Sequence, residues 1–405
     1  MEKEFEKMIY YLVNWGSSSG KHFLGEVTYN EQGVIKVETL LSISAERLNT
    51  IGSIVKAKDK NGIIFEATKD NMSPEEAAEL GLKAIEQQMP LNKVPLVINR
   101  VVTMGTKFMD VCWLTDKTEH AMEQYADRAP EHNPVALASV RLVKAMMPGA
   151  KQVLVPDSNV HTSIPEVAYT YAIMKEWTDK FALRKMGFHG SVIANAIREL
   201  SVQVEHTQCV IAHLGNGCSV TAIKNGKVLD TSMGLTPLTG TVMGTRSGDI
   251  DPSMLPILAK ELKVSVEEVL RLLNKKCGLL GLSGIGSDFR DLLEASEQGH
   301  EGAKKAVEVF LYRTCLEISK YQAPIGGMKQ LVFSGGIGEN SAYVRERICK
   351  NFEYLGLKLN KAKNECRYNS IAKISAEDSA VEVFIIPADE MTEMIRQAVS
   401  LITQK

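Results

Sequence analysis

Short apolar runs broken by polar Gly/Ser/Asn turns organise this chain, and helical periodicities fill the intervals between them. Residues 8–13 are apolar throughout, which predicts a buried strand. That run ends in Asn14-Trp-Gly-Ser-Ser-Ser-Gly-Lys21, and residues 22–29 again read as a strand. Ser73-Pro-Glu-Glu opens a segment reaching Met89, with Ala77, Leu80, Leu82, Ala84 and Ile85 along it. Serine ahead of proline and two acids caps an amphipathic helix. Residues 95–102 and 151–155 read as further buried strands, and 134–147 and 166–178 as helices.

A second strand–turn–strand unit runs from an apolar segment at 208–213, through Leu214-Gly-Asn-Gly217, to a return strand at 218–224. Asn225-Gly226 then marks a two-residue hairpin turn before a strand at 227–231. Residues 330–333 predict a strand ending at Ser334-Gly-Gly-Ile-Gly-Glu-Asn340, with a helix over 341–350. The last strand is expected at 381–386, followed by a terminal helix from about Asp389. The same device near Asn14 and near Asn216 predicts a duplicated fold, although identity between the two copies is weak. No short-period repeat or low-complexity tract is evident.

At 405 residues, the length predicts two or three domains at about 100–200 residues each. Forty-seven basic residues against 49 acidic ones give a net charge of -2, which lacks the basic excess of a nucleic-acid or membrane-surface binder. The seven cysteines include no CxxC pair, so neither a zinc site nor a disulfide framework is indicated. Reduced thiols fit a cytoplasm. The charged opening at 1–7 is not a signal peptide, and no apolar run approaches the ~20 residues of a membrane helix.

Three turns have the character of a phosphate cradle, which needs backbone N–H groups aimed at oxygens, little side-chain bulk and a cation nearby. Residues 14–21 fit, with Lys21 as the cation. So do 213–217, and 335–338 lies between a strand and a helix, where backbone can pass close to an adenosine. One such turn is most often just a hairpin; three at strand ends are harder to dismiss. None has the GxGxxG spacing of a dinucleotide site or the Walker A pattern.

At this point the motifs resemble those of the acetate kinases. Asn14 to Lys21 is similar to their N-terminal signature, and Asp230-Thr-Ser-Met-Gly-Leu-Thr-Pro-Leu-Thr-Gly240 with Met243-Gly-Thr-Arg-Ser-Gly-Asp-Ile-Asp-Pro252 to their longest one. Gly187-Phe-His-Gly190, His213-Leu-Gly-Asn-Gly217, Ser283-Gly-Ile-Gly-Ser-Asp-Phe-Arg290 and Phe333-Ser-Gly-Gly-Ile-Gly-Glu-Asn340 support the match, which runs in order over nearly the whole chain. The resemblance implies an α/β protein of the actin-like ATPase (ribonuclease H-like) fold: two similar domains with an active-site cleft between them. Residues 1–157 plus 388–405 would form the first, with the C-terminal helix returning to it, and 158–387 the second. It also implies a homodimer, Mg2+ and ATP, and reversible in-line transfer of a phosphoryl group from ATP to acetate.

By the same resemblance, Arg246 meets the transferring phosphoryl oxygens, where a planar cation suits the charge. Arg100 grips the substrate carboxylate. His189 supports the transition state, and His132 is a second active-site histidine. Asp157 and Glu390, with Asn14, serve catalysis and magnesium, for which one or two carboxylates suffice. Asn14, Ser17, Ser19 and Lys21 line the phosphates, with His213, Asn216 and Gly217 opposite. Asp288, Phe289, Arg290, Gly336, Ile337 and Asn340 hold the nucleoside. Val102, Phe188 and Pro237 map onto an apolar acetate pocket. Such a pocket separates chain lengths by only about 1–3 kcal/mol per methylene, so acetate and propionate are not told apart here.

The sequence departs from the family pattern mainly at the acceptor end. Thr103 stands where a histidine is usual, Glu131 where an apolar residue is, Ile193 where a second histidine is, and Thr239 where a glutamate is. A carboxylate in an apolar pocket is costly unless paired. Glu131 would therefore either face a polar group on a larger carboxylate or point to solvent and leave acetate binding intact. The rival readings are a kinase for another small carboxylate, a nucleotide-binding non-enzyme, and a sugar kinase or chaperone-type ATPase of the same superfamily. The retained Arg100, His132, Asp157, His189, Arg246 and Glu390 argue against the second, and the 230–252 signature against the third.

Overall fold

The computed structural model of the chain describes residues 6–16, 19–30, 35–129 and 132–403. Ser17 and Glu131, both singled out above, lie outside the described residues. The chain divides into two compact units, Met1–Asn159 with Asp389–Lys405, and Val160–Ala388.

The first unit is built on an eight-stranded sheet. Its strands are β1 (Glu6–Trp15), β2 (Gly20–Tyr29), β3 (Ile35–Glu46), β4 (Ser53–Asp59), β5 (Gly62–Lys69), β6 (Leu96–Val101), β7 (Cys112–Trp113) and β8 (Lys151–Pro156). Their order is β5-β4-β3-β2-β1-β6-β8-β7. β1 runs antiparallel to β2 and parallel to β6, which is parallel to β8. The central strands carry apolar runs, 8–13 in β1, 96–98 in β6 and 153–155 in β8, because both faces are covered. Alternate residues of β1 serve opposite layers. Tyr11, Val13 and Trp15 pack with Leu82, Ile85 and Val143, which lie on the helices Pro74–Gln88 and Asn133–Met146. Tyr10 and Leu12 pack with Met394, Ile395 and Val399 of the terminal helix Glu390–Thr403. The first of these helices starts as expected. The Ser73 hydroxyl accepts the Glu76 N–H at 3.2 Å, and the Ser73 N–H donates to the Glu76 carboxylate at 3.0 Å.

The second unit carries β9 (Gln208–Leu214), β10 (Cys218–Lys224), β11 (Lys227–Thr231), β12 (Gln330–Ser334), β13 (Ala372–Lys373) and β14 (Glu382–Ile385), in the order β11-β10-β9-β12-β14-β13. Strand for strand this repeats β3-β2-β1-β6-β8-β7. The first three are antiparallel, the next two parallel, and the edge strand antiparallel. β4 and β5 are additions at one edge of the first unit. One six-strand topology formed twice from weakly related sequence is the actin-like ATPase architecture. Asn225 and Gly226 have φ of 49° and 74°, the left-handed pair that a tight hairpin between β10 and β11 requires.

Two sequence expectations are corrected. The helix expected over 166–178 is two short ones, Glu166–Tyr169 and Lys175–Phe181. Neither buries a residue, so no apolar face holds one continuous helix, and the Tyr171 hydroxyl between them accepts the Leu235 N–H at 2.8 Å. The turn expected at 335–338 is instead the start of the helix Gly335–Asn340, which follows β12 directly. Gly335 has φ of 78°, and this sharp reversal lets the helix begin without a connecting loop.

Within each unit, the motif residues sit where the parallel strands end. In the first unit these are the ends of β1, β6 and β8, carrying Asn14, Arg100 and Asp157; in the second they are the ends of β9 and β12. Open α/β sheets bind ligands at the carboxyl ends of their strands.

Candidate active site

In the first unit Arg100 is the hub. Its Nε and Nη2 donate to the two oxygens of Asp157, each at 2.7 Å, and its Nη1 donates to Asn14 Oδ1 at 3.0 Å. Glu390 Oε1 lies 3.3 Å from Arg100 Nε, and Glu390 Oε2 accepts from Asn14 Nδ2 at 3.0 Å. Burial disfavours the Arg100 cation, but the charges of Asp157 and Glu390 outweigh it and raise its pKa above the ordinary value. The bidentate Nε/Nη2 edge thus faces Asp157, and the edge formed by the two terminal nitrogens is what a further anion can meet. Asp157, Glu390 and the Asn14 amide oxygen form a hard oxygen-donor set. Its chemistry fits magnesium, which takes one or two carboxylates and keeps several waters. No cluster of three or more His, Cys, Asp or Glu groups able to hold a metal occurs among the described residues.

Elsewhere in this unit, the N–H of Gly16 donates to the Ser19 carbonyl at 2.7 Å, just ahead of Lys21. Lys21 is paired with Asn14 across β1 and β2 and is exposed. His132 stands immediately ahead of the helix Asn133–Met146, and its carbonyl accepts the Ala136 N–H at 2.9 Å. Val102 is 5% exposed.

In the second unit His189, Gly217 and Arg246 converge. His189 has φ of 64°, a left-handed conformation uncommon for any residue but glycine, and it precedes the helix Gly190–Gln203. Its Nδ1 is 3.0 Å from the Ser219 hydroxyl on β10, and its ring meets that of His213 edge-on at 4.8 Å. A Cβ on Gly217 would lie 3.2 Å from His189 Nε2 and 3.7 Å from Arg246 Nη1. The glycine therefore leaves those two side chains a common space. Arg246 Nη1 donates to the Pro237 carbonyl at 3.3 Å.

The backbone around Arg246 is held from behind. Cys277, Leu279 and Leu280 donate their N–H groups to the carbonyls of Thr245, Met243 and Gly244 at 2.9–3.1 Å. Gly244 in turn donates its N–H to the Asn216 carbonyl at 3.0 Å. A Cβ on Gly244 would lie 2.0 Å from Asn216 Oδ1, so the Asn216 side chain can occupy its place only over a glycine.

A cavity of about 900 Å³ in this unit is lined by Asn216, Asp288, Phe289, Arg290, Gly336, Ile337 and Asn340, all seven expected near a nucleotide. His213 and Gly217 are not among its lining residues; they lie beside His189 instead. Asp288 caps the helix Phe289–Glu297 and accepts from Arg290 Nε and Nη2 at 3.0 and 2.6 Å. The hydrogen bonds from the Arg290 side chain and N–H pull the Asp288 pKa down to about 2. The Phe289 ring does not serve the cavity as an open face: it is 4% exposed and packs on Phe310 at 5.1 Å.

The sequence profile of the acetokinase family matches residues 9–397. The chain belongs to that family. It is 39% identical to an acetate kinase of Agathobacter rectalis, over 96% of this chain and 99% of that one. It is 43% identical to an acetate kinase of Dictyoglomus thermophilum, over 78% and 80%. Among solved structures, a propionate kinase from Francisella tularensis superposes with a TM-score of 0.86 at 32% identity, over 96% and 98% of the two chains. The acetate kinase of Porphyromonas gingivalis gives 0.84 at 32%, over 98% and 100%.

Three of this acetokinase's departures from pattern have local structural partners. Ile193 is fully buried, packing with Ala196, Ile211 and Val332. Thr103 is buried, and its hydroxyl accepts the Gly105 N–H at 3.2 Å. The Thr239 hydroxyl accepts the Gly234 N–H at 2.8 Å, closing its own loop. Two contributors escaped the sequence reading. Ser219, fully buried, orients His189. His161, also fully buried, meets the Phe188 carbonyl through Nε2 at 2.8 Å, while its ring fills the space over Gly187 (φ 73°) that a side chain would need. No single motif links Ser219 or His161 to the histidine it supports; the sheet and the Gly187 turn do.

Proposed function

We propose that this chain transfers the γ-phosphoryl group of ATP to the carboxylate of acetate, reversibly, giving ADP and acetyl phosphate. The observation that carries the reading is the convergence of His189, Gly217 and Arg246 in a chain that matches the acetokinase family over residues 9–397. In-line phosphoryl transfer asks a protein chiefly for positioning and for charge on the equatorial oxygens. Arg246 supplies a planar cation to those oxygens. His189, held through Nδ1 by Ser219, presents Nε2 to the same space. Arg100 offers its terminal edge to the acetate carboxylate, with Asp157 fixing the guanidinium plane. Val102, Phe188 and Pro237 accommodate the methyl group, and His132 belongs with them. Asn14, Asp157 and Glu390 would hold magnesium, which neutralises charge on the phosphate oxygens when bound. Ser17, Ser19 and Lys21 line the phosphates together with Asn216 and Gly217. The nucleoside lies against Asp288, Arg290, Gly336, Ile337 and Asn340.

A second acceptor within the same reaction, propionate or a hydroxy- or amino-substituted acid, is favoured by the similarity to the Francisella propionate kinase. The experiment is ADP release with Mg-ATP and carboxylates from formate to butyrate, with hydroxy and amino acids included, and trapping of the acyl phosphate by hydroxylamine. Saturation with acetate is the expected result. Silence on acetate with turnover of a longer or substituted acid would replace it as acceptor. Silence on the whole panel would overturn the kinase reading. Replacing Glu131 by Leu reads that position separately: unchanged acetate kinetics place Glu131 outside the pocket.

The same reading extends to a homodimer in the cytoplasm. Support comes from seven free thiols and from exposed apolar side chains at Ile173, Met174, Trp177, Phe181, Ile257 and Leu262. Sedimentation velocity tests the dimer.

A further inference from the structure

We propose that Tyr343 is the stacking wall for the nucleobase, and that Arg347 and Glu308 hold its ring in place before the nucleotide arrives. This rests on the kinase reading above and deepens it. Tyr343 lines the 900 Å³ cavity, as do Ile337, Asn340, and Glu294 and Glu297 of the helix Phe289–Glu297. The cavity has two aromatic lining residues, Phe289 and Tyr343. The Phe289 ring is committed to Phe310, whereas Tyr343 is only half-buried, so Tyr343 has an aromatic face to offer a flat ligand.

The ring is also held by a neighbour on its own helix. Arg347, four residues on along the helix Ala342–Lys350, donates from Nη1 to the Tyr343 hydroxyl, and its guanidinium carbon lies 5.4 Å from the ring centroid. Arg347 is itself fixed by two hydrogen bonds to the Glu308 carboxylate, 2.9 and 2.8 Å long. Hydroxyl, guanidinium and carboxylate thus form a chain that restricts the tyrosine rotamer. Pre-ordering a side chain removes an entropy cost from binding.

Stacking on an aromatic face is sequence-tolerant, because every base has a π-surface, and it grows with ring area. The site therefore takes purine nucleoside triphosphates ahead of pyrimidine ones and separates adenine from guanine weakly. Acyl phosphate formation with ATP, GTP and CTP tests this in the wild type and in Tyr343→Ala, Tyr343→Phe and Arg347→Gln. Tyr343→Ala should raise KM for ATP and GTP about tenfold, with kcat and the KM for acetate within about twofold. Tyr343→Phe and Arg347→Gln, which keep an aromatic ring but lose the hydroxyl contact, should raise KM for ATP about two- to threefold. An unchanged KM for ATP in Tyr343→Ala overturns the proposal, as does a parallel loss of kcat and acetate affinity, which would mark a merely structural residue. If the wild type makes no acyl phosphate, the kinase reading fails by itself. Calorimetry with ADP then decides the stacking alone: about tenfold weaker binding in Tyr343→Ala supports it, and equal binding overturns it.

Discussion

Asp157 receives two parallel hydrogen bonds from Arg100, both 2.7 Å long, although 57 residues separate the pair in sequence. β6 and β8 are parallel neighbours, and Arg100 is in register with Val155, which sets the two side chains at one end of the sheet. The pair is largely withdrawn from water, with Asp157 6% and Arg100 19% exposed at the side chain. Removing Asp157 takes away the bidentate partner of a buried charge and leaves Arg100 with Glu390, 3.3 Å from its Nε. Asp157→Asn should therefore destabilise the protein by about 3 kcal/mol in urea unfolding. It should also lower kcat at least about 100-fold, since the same group positions Arg100 and belongs to the magnesium donor set proposed above. Full activity in Asp157→Asn would remove Asp157 from the proposed mechanism.

Ser219 makes a second, cleaner test. Its hydroxyl is 3.0 Å from His189 Nδ1, and the ring's other nitrogen faces the space shared with Arg246. Ser219→Ala leaves the fold's backbone pairing in place but removes the hydrogen bond at His189 Nδ1. The expected result is a fall in kcat of about tenfold with ATP affinity by calorimetry unchanged, the signature of a lost transition-state contact. A variant with wild-type kcat would show that the Ser219 contact does not orient His189 for chemistry.

Gly244 tests the loop that carries Arg246. Its missing side chain makes room for the Asn216 amide, which a Cβ would approach to 2.0 Å. Gly244→Ala must displace Asn216 or the loop itself, and the loop is pinned by N–H groups from 277–280. Overpacking of this kind costs about 1–3 kcal/mol, and a displacement near 1 Å at the chemistry costs about 100-fold in rate. The crystal structure of the variant and its kcat check both parts. A variant with native kcat and an undisturbed Asn216 would refute the packing argument.

Much of this arrangement was legible in the chain itself, for identifiable reasons. β1, β6, β9 and β12 are covered on both faces, so each contains an apolar run, at 8–13, 96–98, 209–212 and 331–333. Ser73 and Glu76 announce a helix start because capping is local chemistry. What escaped the reading depends on tertiary contact. β3 and β5 present mixed, partly exposed faces, so no apolar run marks them. Tyr171 interrupts a helical pattern through a bond to Leu235, 64 residues away. Asn14 meets Glu390 across 376 residues, a contact no local pattern encodes. Motif matching nominated Arg100 for a carboxylate, but only the fold shows that its bidentate edge is already given to Asp157.

His22 gives the protein an acid-sensitive point that the reaction does not use. The ring is 2% exposed, bonded through Nδ1 to the Tyr11 hydroxyl at 2.7 Å and packed edge-on against Trp15 at 4.4 Å. Burial without a facing carboxylate penalises the imidazolium and lowers the His22 pKa from 6.5 to about 3. Between those two values the unfolded chain takes up a proton that the native state does not. Stability is therefore intact above pH 6.5 and is lost as the pH falls from 6.5 toward 3, by about 1.4 kcal/mol per unit. By pH 5 the loss from this group is about 2 kcal/mol. His22→Gln cannot take up that proton. Subtracting its unfolding free energy from that of the wild type at pH 7, 6 and 5 cancels the shared carboxylate titrations. The difference should shrink by about 2 kcal/mol between pH 7 and pH 5, as the wild type alone loses stability through His22. A difference that stays constant with pH would mean that His22 is charged in the native state or is not buried as described.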